Sequence, residues 1–160
     1  LDSLNLNIQY LDTSEVIEKD LYKKSPVQVL WNNDHITKTV SIELTDIDGS
    51  SFNVSVNDTK IGKASFGKNI SSEFGAFVVN KTGALNKLTQ VKINIFPKLQ
   101  HAESYRNILS VSPASKTSSV IDVSIIDKTP EKAADFLNTL AIFPITCVFS
   151  SILLTKQLQP

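Results

Sequence analysis

Residues 101–140 read HAESYRNILS VSPASKTSSV IDVSIIDKTP EKAADFLNTL, and both secondary-structure periods occur within this one stretch. Ala102, Tyr105, Ile108 and Leu109 fall at i, i+3, i+6 and i+7, the spacing of one helix face, which predicts a helix over 101–109. A loop follows over 112–117. Ile121, Val123 and Ile125 then alternate with Asp122 and Ser124, which predicts a strand over 120–126 with one apolar face. Thr129-Pro130-Glu131 carries the marks of a helix start: a hydroxyl to cap free amides, a proline where no amide partner is needed, and an acid at the positive end of the helix dipole. Ala133, Ala134, Phe136, Leu137 and Leu140 supply the buried stripe of that helix over 130–141.

Outward from this stretch the period is mostly two. Leu4, Leu6, Ile8 and Tyr10 alternate with polar residues, as do Val27, Val29 and Trp31; Val40, Ile42 and Leu44; Phe52, Val54 and Val56; and Val91, Ile93 and Ile95. Each run predicts a half-buried strand, and Pro97 closes the last. Asp46 to Ser51 turns around Gly49, making 40–56 a hairpin, and further short strands are expected over 61–79. Between Ser14 and Lys24, Val16, Ile17 and Leu21 have helical spacing, so a short helix is expected there, stopped at Ser25-Pro26. The expected fold is α+β: a mixed sheet backed by the two helices, in a domain over 1–140 with a β-rich insertion over 27–97.

The chain has 160 residues, enough for one domain with a real core, and its 41% hydrophobic and 20% charged residues are an ordinary globular balance. Sixteen basic and sixteen acidic residues cancel, leaving no net field to draw in nucleic acid or an anionic membrane surface. Cys147 is the only cysteine, which excludes an intrachain disulfide and a multi-cysteine metal site. The abrupt start at Leu1, with no basic then apolar leader, reads as an excised or processed piece.

Ala102-Glu103-Ser104-Tyr105 to Leu109, Ser118-Ser119-Val120-Ile121-Asp122-Val123, and Asp127 through Pro130, Ala133 and Ala134 to Asn138-Thr139-Leu140 follow one another in an order and spacing that resemble the Wzz-type chain-length determinant family. The passage from Leu21-Tyr22 into Ser25-Pro26-Val27-Gln28-Val29 and the middle region look most like its long Bacteroidetes members, which carry a Wzc-type tyrosine autokinase. The likeness runs from Leu1 to about Leu140, and its signature positions, Tyr105, Ser118, Val120, Pro130, Ala133, Ala134 and Asn138, are packing positions. The resemblance implies a parent protein with two membrane spans flanking this domain and a cytoplasmic kinase after the second. It also implies a domain at the periplasmic face of the inner membrane, assembled as a ring-like homo-oligomer. Its role there is to scaffold the length control and export of capsular or exopolysaccharide, with the polymerase, an outer-membrane export protein or the glycan as partners. On this reading the fragment has no catalytic residues, cofactor or metal of its own.

Other residues were weighed for chemistry. Gly62-Lys63-Ala64-Ser65-Phe66-Gly67-Lys68 has the glycine and lysine spacing of a phosphate-binding loop, but Asn69 stands where a magnesium-binding hydroxyl belongs, and the context is short strands. Glycine turns in a hairpin are the expected reading. Asp46 and Asp48, with Asp58 nearby, lack the further acids of a calcium loop and read as turns. His35 and His101 have no convergent carboxylates in their spacing and read as surface residues. Cys147 has no histidine after it and reads as inert. Trp31, Tyr10, Tyr22 and Tyr105 have faces that could stack on sugar rings, with core packing the expected role. Four matches to the N-glycosylation pattern begin at Asn53, Asn57, Asn69 and Asn80, as chance produces in an Asn/Ser-rich chain.

Past Leu140 the helical stripe is lost. Residues 141–160 carry Pro144 inside an apolar run shorter than the roughly twenty residues a membrane span needs. A final strand, the exposed end of a fragment, or a reading frame that has left the family all remain open for it. Two rivals to the scaffold reading also remain: an extracellular β-sandwich that binds ligand or mediates adhesion, and a nucleotide-dependent enzyme resting on Gly62 to Lys68. Strands 4–10, 91–95 and 120–126 in one sheet backed by both helices would favour the scaffold; helices detached from a closed sandwich would favour the first rival.

Overall fold

The computed structural model describes residues 6–32, 36–85, 88–115 and 120–142. The protein is α+β, with antiparallel strands β1 (Ile8–Asp12), β2 (Lys19–Asp20), β3 (Val27–Trp31), β4 (Val40–Thr45), β5 (Ser51–Val56), β6 (Thr59–Ser65), β7 (Asn69–Ser72), β8 (Gly75–Lys81), β9 (Val91–Ile95), β10 (Leu109–Pro113) and β11 (Ile121–Ile125). Helix α1 spans Lys98–Ile108, and α2 runs over 130–142. The chain divides into two compact units, Leu1–Glu103 and Ser104–Pro160, so the boundary falls inside the 1–140 span read as one domain.

The first unit is a sandwich. One sheet has the order β2-β1-β9-β4-β5-β6 and the other β3-β8-β7. Their facing apolar residues form one core: Val40, Ile42 and Leu44 of β4 and Val91, Ile93 and Ile95 of β9 pack in the same cluster as Val27 and Val29 of β3 and Phe77 and Val79 of β8. Alternation produces this directly, because every second side chain of a strand points to the same face. The register agrees, with Ile42 opposite both Val56 and Ile93. The Tyr10 hydroxyl, on the first sheet, accepts the Val29 amide of the second at 3.0 Å. Since β3 is an edge strand, this bond occupies an amide that no neighbouring strand takes, and burial pushes the Tyr10 phenol pKa up.

Turn chemistry fixes the outer strands. Asn57 and Asp58 both have positive φ, 44° and 64°, as a two-residue turn between right-twisted strands requires. Asn57 is also tied to β4, its carboxamide oxygen accepting the Ser41 amide and its own amide donating to the Ser41 carbonyl, both at 2.8 Å. A register shift between Val54 and Ser55 leaves Ile61 as an extra residue in β6, next to Gly62 at φ 117°.

Two expectations need correction, and the strand-sharing that would favour the scaffold is met only in part. The helix over Ser14 to Lys24 does not form: bends occupy 14–17, followed by β2 and a short 3-10 turn over Tyr22–Lys24. The Asp12 and Asp20 carboxylates accept the amides of Ser14 and Tyr22, each at 2.9 Å, and these local turns compete with a helical ladder that has no apolar surface to rest on. The expected strand over 4–10 is interrupted by a turn at residues 6–7, where Leu6 is buried, and β1 begins at Ile8; residues 1–5 lie outside the described residues. Of the three strands whose sharing of one sheet would favour the scaffold, only two share it. β1 pairs with β9, whereas β11 pairs with β10 in a separate two-stranded sheet. The connection from β10 to β11 is short, so closing that hairpin costs little chain entropy.

Candidate functional site

The second unit carries the stretch that set the fold expectation. Leu109, Val111 and Pro113 stand opposite Ile125, Val123 and Ile121, while Ser110 and Ser112 stand opposite Ser124 and Asp122. One face of the β10–β11 hairpin is therefore wholly apolar and the other wholly polar. The apolar face is not buried: Val111 is 59%, Ile121 62% and Val123 40% exposed. Exposed Ile108, Val120 and Ile126 lie at the ends of the same strands or just before them.

The helices supply what core this unit has. Tyr105 of α1 is buried and stacks on Phe136 of α2, with ring centroids 4.7 Å apart, and the Lys132 ammonium lies 5.7 Å from the Tyr105 ring. Lys132 is itself buried, so its charge rests against an aromatic face rather than in water. At the start of α2 the Asp127 carboxylate accepts the Thr129 amide at 2.8 Å, and the Thr129 carbonyl accepts the Ala133 amide at 3.1 Å. The Thr129 carbonyl thus opens the helical ladder, with the Thr129 amide held from the preceding turn by Asp127.

The signature positions separate on this frame. Tyr105 is at the centre of the helix contact and Ala133 is half-buried. Pro130 opens α2 and is exposed, as are Ala134 and Asn138. Val120 is exposed just ahead of β11, its carbonyl accepting the Ala114 amide at 3.0 Å. Ser118 lies outside the described residues, as do His35, Cys147 and the tail beyond residue 142.

The glycine-lysine stretch and the turn aspartates sit in the sandwich. Gly62 to Lys68 runs along β6 and through the turn into β7, strand-turn-strand with Gly67 at φ 73° in the turn. Asp48 is a turn acceptor: its carboxylate takes the Ser51 hydroxyl at 2.7 Å, the Ser51 amide at 2.6 Å and the Ser50 amide at 3.0 Å. These bonds, the Ser51 hydroxyl foremost, hold its carboxyl well below the usual carboxylate range. Asp46 accepts the Asn53 carboxamide at 2.8 Å. Among the described residues, no three His, Cys, Asp or Glu side chains are grouped to hold a metal ion. His101 stacks on Phe96, Trp31 on Phe77, and Lys23 lies over the Tyr22 ring.

At one end of the sandwich an open cleft of about 830 Å³ is lined by Asp12, Ser14, Pro26, Leu85, Leu88 and Thr89, among others. The Ser14 hydroxyl accepts the amides of Thr89 and Gln90 at 3.1 and 3.2 Å, tying the β1–β2 loop to the strand connection beside it. Sequence reading passed over this cleft because its residues come from three separate loops. It also missed β10, although the alternation Leu109-Ser110-Val111-Ser112 was there to be read.

No protein-family model matches the chain, and no curated protein matches it.

Proposed function

We propose that the chain is a non-catalytic scaffold domain in the export and length control of a bacterial capsular or exopolysaccharide, held at the periplasmic face of the inner membrane within a larger parent protein. The observation that carries the reading is the uncovered apolar face of the β10–β11 hairpin, which lies in the stretch that resembles the chain-length determinants. A two-stranded hairpin with one face in water is marginal on its own. In an assembled scaffold, further polypeptide covers such a face and the hairpin becomes part of a continuous layer. The test is a Val111→Lys, Val123→Lys pair in the parent protein in its host, with the length distribution of exported polysaccharide read on gels and protein level checked by immunoblot. A shifted or broadened distribution at normal protein level is the expected result; an unchanged distribution overturns the reading.

A second reading, a ligand-binding or adhesion module, is favoured by the sandwich and by the cleft at Asp12. The strand pairing leans its way too, since β11 does not join β1 and β9. It predicts saturable binding of a soluble glycan or protein by the purified chain, weakened by Asp12→Ala together with Leu88→Ser.

A further inference from the structure

The sandwich has four edge strands, and three of them are closed to a further strand. β2 is two residues long and runs into the turn in which the Asp20 carboxylate accepts the Tyr22 amide. β6 is bulged at Ile61 and carries exposed Lys60 and Lys63 on either side, devices that turn a pairing strand away. On β3 the outward main-chain groups are taken: the Val27 amide donates to the Ser25 hydroxyl, which donates in turn to the Val27 carbonyl, and the Val29 amide donates to Tyr10. The fourth edge, β7, has none of these devices. Main-chain groups of an antiparallel strand point to alternate sides. On β8 the Ala76 carbonyl accepts the Asn32 amide from the β3 side, and the Val79 carbonyl accepts the Gly67 amide from the β7 side, at 3.3 and 2.8 Å. Phe77 and Gly75, which alternate with Ala76 as Val79 does, therefore face β7 and bond to their partners Ile70 and Ser72. The amides and carbonyls of Asn69 and Ser71 then point away from the sheet, and nothing among the described residues bonds to them.

The side chains of this edge define what fits it. Ile70 is buried in the core, and half-buried Phe66 and Phe74, in the turns before and after β7, pack against that core. Asn69 and Ser71 are exposed, and exposed Lys68 and Glu73 flank the strand. We infer that β7 receives an extended segment of a partner polypeptide as one more strand of the second sheet, bonded main chain to main chain at Asn69 and Ser71. The residue of that segment opposite Ile70 is apolar and extends the core, and its neighbours, beside Asn69 and Ser71, are small and polar. An acid toward Lys68 and a base toward Glu73 set its direction. β7 has four residues, so the segment it holds is short and the contact reversible. The inference rests on the sandwich alone and stands or falls apart from the scaffold reading, which rests on the hairpin.

The test is amide hydrogen exchange on the full chain, read by NMR, with a capped synthetic peptide of alternating threonine and valine between a glutamate and a lysine as the probe. In the chain alone, the Asn69 and Ser71 amides are expected to exchange quickly and those of Ile70 and Ser72 slowly. Millimolar peptide is expected to slow Asn69 and Ser71 several-fold. Ser71→Pro removes an outward amide while leaving the bonds to β8, so it is expected to keep the parent Tm and to weaken the peptide several-fold. Methylated peptides give the same answer without altering the protein: N-methylation of one alternate set of peptide amides abolishes the slowing, and methylation of the other set leaves it. Slow exchange of Asn69 and Ser71 in the chain alone overturns the inference, since the edge is then already covered, by a second copy where the protection grows with protein concentration. Exchange that the peptide leaves unchanged, undiminished binding to a folded Ser71→Pro chain, or equal effects of the two methylated sets also overturns it.

Discussion

Strand β4 and strand β11 have the same sequence pattern and opposite fates. In β4, Val40, Ile42 and Leu44 are 2%, 0% and 0% exposed, whereas Ile121 and Val123 of β11, just as regularly spaced, are 62% and 40% exposed. Alternation specifies which side of a strand is apolar. What covers that side depends on a second layer, and the sandwich carries its own in β3, β7 and β8. The hairpin's alternation is thus half of an arrangement whose other half the strand itself does not encode.

The contrast is broken most sharply by truncating its buried side. Phe77 is fully buried against Trp31, and Phe77→Ala is expected to destabilise the sandwich by about 3–5 kcal/mol in urea or thermal unfolding, through lost burial and a residual cavity. A loss under ~1 kcal/mol would mean the two sheets do not share one core. Tyr10→Phe removes the acceptor of the Val29 amide while keeping the ring, and should cost about 1–3 kcal/mol for an edge amide left unpaired. Val123→Ser on the exposed face is expected to fall within about 0.5 kcal/mol of the parent chain, the ordinary range for surface substitutions.

The smallest effect is one of pH. The Asp48 carboxyl titrates lower in the folded chain than in the unfolded one, so its contribution to stability is fully present above the unfolded value of about 4 and is lost as the pH falls below it toward the folded value. The difference in Tm between the parent chain and Asp48→Asn should therefore shrink on acidification from pH 7 to pH 3. A constant difference would show that the turn bonds do not depend on the charge.

How much was legible follows from the same contrast. The core strands β3, β4, β5 and β9 could be read from period two alone, because their apolar residues are regular and their turn residues specific. The segment 14–24 misled because Val16, Ile17 and Leu21 have helical spacing but nothing to pack on, and the Asp12 and Asp20 carboxylates favour local turns instead. Strand β10 was hidden because Leu109 serves two patterns, the end of a helix face and the start of an alternation. The neighbour of β11 stayed open in the sequence because period two fixes a strand's face without naming its partner. The cleft beside Asp12 gave no sequence signal at all, since Asp12, Ser14 and Glu15, Pro26, and Ala84, Leu85, Leu88 and Thr89 meet only through the fold.

The central claim of the proposed scaffold role is that the apolar hairpin face, open in this chain, is covered in the assembled parent protein which that role requires. Val123→Cys on a Cys147→Ser background, labelled with a maleimide in the purified chain and in the intact membrane-embedded parent, tests it directly. The account predicts rapid labelling of the chain and strong protection in the parent; equal labelling in both would contradict it.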